Sequence, residues 1–277
     1  MSGPPAPVAS SPTSLSAAAG RSEPGPAVQA QQELVPGPDP QDEDDGDSDL
    51  GDDADFADEY PNAEVIGSDL SPIQPTWLPP NVKFEINDAT LTWTWADNAF
   101  DFIHIRYLFG AIRDWTALFK EAYRCCTPGG WIQTAEADVE ILSDDGTTEL
   151  APVLKTWDKL YAEGGKKLGN PFYVQREDLQ EKGLEAAGFT EITSVDYKFP
   201  VGGWAKDSRM AEIGNFVKAT LENDLEGYTL LLWNNILQWG EDEYQVFLTE
   251  MRKYLRNRKV HGYMRVRYVY ARKPEAE

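Results

Sequence analysis

Residues 56–277 are expected to form an α/β domain on a mostly parallel sheet with one antiparallel strand. A helical cap is expected over about 207–239, and a tail over 1–55. Three observations predict this. Composition changes at Phe56, where Trp, Tyr, Phe, Ile and Leu become frequent. Short apolar runs then alternate with stretches whose apolar residues recur at helical spacing. The chain closes in the order helix, strand, helices, strand, which inserts the final strand antiparallel at one side of the sheet.

The tail comes first. Residues 1–55 are Pro, Gly, Ala, Ser and Asp, and "QDEDDGDSDLGDDAD" is a dense acidic run. Such a segment buries too little apolar surface to offset its ordering entropy, so disorder is expected. The run "AEVIGSD" (63–69) is bounded by Pro61-Asn62 and Ser71-Pro72, and "VKFEI" (82–86) follows Pro79-Pro80-Asn81. "FDFIHIRYL" (100–108) is almost wholly apolar or aromatic, and "GWIQTAEA" (130–137) follows "TPGG". Runs of this kind suit strands covered on both faces.

Helices lie between them. In "RDWTALFKEAYRCC", Trp115, Leu118, Phe119, Ala122 and Tyr123 make one apolar stripe that Pro128 and Gly129-Gly130 terminate. In "QREDLQEKGLEAAGF", Leu179, Gly183, Leu184 and Ala187 face one way, with Gly188 placed to cap. The strand "TEITSVDYKFP" (190–200) follows. "EDEYQVFLTEMRKYLRN" puts Tyr244, Phe247, Leu248, Met251, Tyr254 and Leu255 on one face, and "GYMRVRYVYARK" closes as an alternating strand.

Charge and rare residues exclude several classes. Half of the net charge of −22 lies in residues 1–55, and an acidic chain makes a poor partner for a nucleic-acid backbone. Cys125 and Cys126 are adjacent and the only histidines are His104 and His261, so neither a disulfide framework nor a metal site is expected. No signal peptide or run of about 20 apolar residues is present, so a cytoplasmic or nuclear location off the membrane is expected.

Three strings then carry a resemblance: "FADEYPNAEVIGSDLSPIQPTWLPPNVKFEINDA", "FDFIHIRYLFGAIRDWTALFKEAYRCCTPGGWIQTAE" and "HGYMRVRYVYARKP". Across about residues 56–274 the chain resembles class I S-adenosylmethionine-dependent methyltransferases, in their fungal secondary-metabolism regulator-like branch. The resemblance implies a Rossmann-like, seven-stranded sheet with the cofactor at the C-terminal strand ends. It places Asp69 on the cofactor ribose hydroxyls, where a carboxylate can accept two bonds, and Leu70 along the adenine. It places Asp88 and Ala89 at the adenine edge, and Arg106 at the pocket mouth beside the methionine carboxylate or the substrate. A turn-forming Asp69 and a surface Arg106 are the structural alternatives. His104 is a weak catalytic candidate against a satisfied core histidine, and Glu136 is a second candidate base. Trp204, Trp233 and Trp239 would line a substrate pocket or pack in the core.

One departure matters. The family has an apolar strand and a G-x-G-x-G turn ahead of "FADEYP"; here "PGPDPQDEDDGDSDLGDDAD" stands there. The glycines let the backbone approach the methionine part of the cofactor. The sheet is therefore expected to lack its first strand and most of its first helix. Two functions follow. One is a methyltransferase acting on a small-molecule metabolite with S-adenosyl-L-methionine as cofactor. The other is a catalytically impaired, methyltransferase-like regulator acting through protein partners, or an incomplete gene product. The methyl acceptor is not legible.

Overall fold

The structure is a computed structural model that describes residues 14–19, 52–71 and 78–276, with backbone alone for 14–19 and 52–55. Seven strands form one sheet: β1 (Ser14–Ala19), β2 (Glu64–Asp69), β3 (Val82–Ile86), β4 (Phe100–Arg106), β5 (Cys126–Leu142), β6 (Thr190–Pro200) and β7 (Tyr263–Arg272). Their order is β3-β2-β1-β4-β5-β7-β6. Its first five members follow the doubly wound order, in which ligands sit outside the carboxyl ends of the strands.

The centre of the sheet corrects the sequence reading. The slot between β2 and β4 is filled, by residues from the tail. Leu15 pairs with Ser68 and Ile105, and Ala17 pairs with Ile66 and Ile103. Both pairings are antiparallel, so two strands oppose the rest, β1 as well as the expected β7. The physical reason is that adjacent strands with an empty slot would leave buried N–H and C=O groups unpaired, which is costly. An Ala- and Ser-rich hexapeptide carries those groups as well as an apolar one. Two short pieces of the 1–55 segment are described, β1 and the start of α1 (Asp52–Glu59); the rest of it lies outside the described residues.

α2 (Trp115–Cys125) and α4 (Leu179–Ala187) cover one face. Ile103, Ile105, Ile132, Val269 and Ala271 meet Leu118, Phe119, Ala122 and Leu184 there. Asp114 caps α2 by accepting from the Ala117 N–H at 2.9 Å. Gly188 ends α4 at φ 104°, as its position after the apolar stripe predicts. On the other face α1 seals the β2–β3 edge through Ala57, Val65 and Val82.

β5 runs further than 130–137. It begins at Cys126, takes in the "TPGG" turn, and continues through an irregularity after Ala137 to Leu142, which pairs with Tyr263 of β7. A second core gathers on that extension. It contains α3 (Val153–Leu168), α5 (Ser208–Asn223), α6 (Leu225–Leu230), a π-helical turn (Leu231–Leu237) and α7 (Glu241–Leu255). Val139, Ile141, Trp157, Leu160, Leu225, Leu232, Trp233 and Met251 fill it. The stretch 207–239 holds α5, α6 and the π-helical turn, and α3 and α7 pack beside it. The spacing of Leu154, Trp157, Leu160, Tyr161 and Gly164 predicts α3, the helix left unassigned in the sequence. Trp233 and Trp239 pack on each other at 4.8 Å within these helices, and Trp204 packs in a separate cluster with Ala205 and Tyr263.

Candidate functional site

The carboxyl ends of β2, β3 and β4 converge on one rim. Asp69 ends β2 beside Ile86 of β3, and the Asn87 N–H donates to the Asp69 carbonyl at 3.1 Å. The Asp69 side chain turns back into its own loop, where Oδ1 accepts the Ser71 N–H at 2.8 Å. Its other oxygen, Oδ2, is buried and has no partner among the described residues. Burial raises the carboxyl pKa, opposed by the backbone N–H groups of Ser71 and Leu70. A buried carboxylate oxygen without a donor is costly to keep, and a ligand hydroxyl would relieve that cost.

Around it the rim is apolar and open. Leu70 is 55% exposed, Ile86 63% and Leu91 64%, at the ends of β2 and β3 and in the loop after β3. Asp88 sits in that loop, its Oδ1 accepting from the Thr90 N–H at 2.9 Å and the Thr90 hydroxyl at 2.6 Å. Ala89 leans on the core, and its carbonyl accepts the Trp93 indole at 3.3 Å. Asp69, Leu70, Asp88 and Ala89 are thus gathered at one edge. Arg106 ends β4 across the width of β1, in register with Ser14, its guanidinium 5.6 Å from the Tyr107 ring centre.

His104 is not brought to this rim. It lies two residues inside the strand, between Ser16 of β1 and Gln133 of β5. Its Nδ1 is buried with no partner among the described residues. Burial pushes the imidazole down to about 4, against a hydrogen bond with Gln133 that raises it. So weak a base, enclosed in the sheet, fits the core-histidine reading.

Glu136 is fully enclosed within β5. Burial pushes its carboxyl up to about 8, against bonds from the Leu108 and Phe109 backbone N–H groups. The two groups act on stability from opposite sides. His104 has a folded pKa below its ordinary 6.5, so its contribution is present above about 6.5 and lost as pH falls through about 4. Glu136 has a folded pKa above its ordinary 4.5, so its contribution is present below that value and lost as pH rises through about 8. The melting temperature is therefore expected to fall on both sides of a maximum, and His104→Gln should flatten the acid side alone. An unchanged acid limb in His104→Gln would remove His104 as its cause.

Sequence reasoning missed how β5 works as an anchor. Asp138 Oδ1 accepts the Gln175 N–H at 3.0 Å, and Gln175 Nε2 donates to the carbonyls of Glu136 and Arg265 at 2.8 Å each. The signal was on view as "TAEADVE", carboxylates inside an apolar strand, where burial demands partners. No group of three or more His, Cys, Asp and Glu among the described residues could hold a metal ion.

A sheet of this order, with β7 antiparallel between β5 and β6 and the Asp69 carboxyl set in an apolar rim at the carboxyl ends, defines a Rossmann-like class I methyltransferase fold. A family model described as a methyltransferase domain matches residues 49–194. The chain belongs to this methyltransferase family. It is 33% identical over 220 residues to methyltransferase pytC of Aspergillus terreus, covering 79% of this chain and 67% of that one. It is 32% identical over 224 residues to the secondary metabolism regulator LAE1 of Cochliobolus heterostrophus, covering 80% of this chain and 72% of that one. Among solved structures, Haemonchus contortus phosphoethanolamine N-methyltransferase 2, bound to S-adenosyl-L-methionine, aligns with TM-score 0.38 and 18% identity over 70% of this chain and 38% of that one.

Proposed function

We propose that the protein is an S-adenosylmethionine-dependent methyltransferase that acts on a small-molecule metabolite of fungal secondary metabolism. One observation carries the reading. Asp69 holds a buried, unpartnered carboxylate oxygen at the end of β2, beside the exposed apolar side chains Leu70 and Ile86. A nucleoside has the matching parts: ribose hydroxyls to donate to the carboxylate and a flat adenine to cover the apolar rim. Asp88 and Ala89 lie on the adenine side, and Arg106 on the side of the carboxylate or the acceptor. The name of LAE1, a secondary metabolism regulator, supports the metabolic setting, and that of pytC supports a methyltransferase.

When bound, the cofactor supplies an electrophilic methyl on a sulfonium. The chain's task is then to hold donor and acceptor in line and close, which accounts for most of the acceleration such a displacement needs. Neither His104 nor Glu136 is required as a base on this reading, and an acceptor that ionises in water fits it best. No helix among the described residues is long and apolar enough to cross a membrane. We place the protein in the cytoplasm or nucleus.

A second reading rests on β1. The chain has no G-x-G-x-G turn ahead of β2, and an antiparallel strand fills that position in the sheet. This favours a methyltransferase-like regulator working through protein partners, as the similarity to LAE1 also does. Titration calorimetry with S-adenosylmethionine separates the two. Binding is expected, and Asp69→Ala should weaken it by about 1.5–3 kcal/mol, the worth of a hydrogen bond to a charged group. No binding by folded wild-type protein would overturn the enzyme reading, and unchanged affinity in Asp69→Ala would overturn the ribose assignment.

A further inference from the structure

The segment after β4 is held in an unusual shape. Tyr107 has φ +53°, a left-handed conformation that a bulky side chain rarely adopts, and Gly110 follows at φ +74°. Strain of this kind persists only where the surroundings enforce it. Here the enforcing group is Glu136. Its Oε1 accepts the Leu108 N–H and its Oε2 the Phe109 N–H, each at 3.0 Å. Two successive N–H groups after a left-handed residue form a concavity lined by donors, and the Glu136 carboxyl group occupies it. The Tyr107 N–H is tied to Ala135 of the same strand at 3.0 Å. Further on, Asn170 Nδ2 donates to the Gly110 and Ala111 carbonyls at 3.0 and 3.2 Å. With both oxygens committed and the side chain fully buried, Glu136 has no means of reaching an acceptor as a base.

We infer that Glu136 is a positioning residue: it clamps the turn at Tyr107 and so fixes Arg106 and Tyr107 as the wall of the methyl-transfer site. The inference rests on that site being the reacting one. A carboxyl group suits the task because each of its two oxygens carries a lone pair that can accept, at the spacing of two adjacent N–H groups. An amide of the same shape offers one acceptor and sets an N–H against an N–H.

The test compares wild type with Glu136→Gln by residue-resolved amide exchange and by calorimetric binding of S-adenosylhomocysteine. Exchange at Leu108 and Phe109 is expected to rise about tenfold, the effect of one lost hydrogen bond, while Ile132 and Val269 in the strands stay protected. S-adenosylhomocysteine affinity is expected to fall several-fold. Tyr107→Gly, which adopts the left-handed turn without strain, should shrink the effect of Glu136→Gln on Leu108 and Phe109 exchange. If Glu136→Gln does not fold, Glu136→Asp replaces it. The shorter side chain keeps the charge but cannot reach both N–H groups, and the same local exchange pattern is expected. Exchange that is unchanged at the turn, or that rises equally at Ile132 and Val269, overturns the clamp. A loosened turn with unchanged affinity overturns the positioning role. Failure of wild type to bind S-adenosylhomocysteine strikes the methyl-transfer reading, and with it the positioning role, while the exchange comparison still decides the clamp.

Discussion

Ala17→Pro is expected to destabilise the domain by about 2–4 kcal/mol, or to prevent folding if the margin is smaller. Ala17 is in the middle of the central strand, paired to Ile66 on one side and Ile103 on the other. Proline there removes a ladder donor and places its ring against a neighbouring strand, in a part of the sheet where water cannot replace the lost bond. Ser14 is the control. It begins the strand, a position proline tolerates, so Ser14→Pro should cost far less. Urea denaturation followed by circular dichroism gives both numbers. Equal midpoints for wild type and Ala17→Pro would show that the hexapeptide does not complete the sheet in solution. The result bears on function, because β1 carries its N-terminal end, not a glycine turn, to the rim between Asp69 and Arg106.

Trp157→Ala is expected to cost about 3–5 kcal/mol, in the upper range for core truncations. Trp157 is 2% exposed, and its indole donates to the Val139 carbonyl at 2.8 Å. It also packs on Tyr161 at 4.8 Å. The substitution opens a cavity and leaves a buried carbonyl unpaired in one step. Because Trp157 joins α3 to the extension of β5, the loss should be felt first in the helical layer. Amides of α3 and α7 should lose protection before those of α2 and α4. Uniform loss across the chain would mean that layer and sheet unfold as one unit. Trp157→Phe, which keeps most of the volume and drops only the donor, should cost about 1–2 kcal/mol.

Much of the sheet was written in local pattern. The strands after Glu64, the cap at Gly188 and the antiparallel closing strand follow from apolar runs, turn residues and helical stripes that depend on near neighbours. The same holds for one edge of the site. The resemblance named Asp69, Leu70, Asp88 and Ala89, and they stand beside the ends of β2 and β3.

Other features were not local. Whether Glu136 is a base or a clamp depends on two N–H groups 27 and 28 residues earlier in the chain. His104 reads as a candidate base until the neighbouring strands enclose it. β1 is the clearest case. "SLSAAA" has weak strand preference and a single large residue, Leu15, yet the unpaired backbone of β2 and β4 creates a slot that nearly any extended segment can fill. The sequence by itself determined the family and the strands from β2 onward, because each is encoded in contiguous residues. Only the tertiary structure decided what completes the sheet, how Tyr107 is held and which buried groups are kept from solvent, because hydrogen-bond satisfaction and desolvation belong to the assembled neighbours rather than to any one segment.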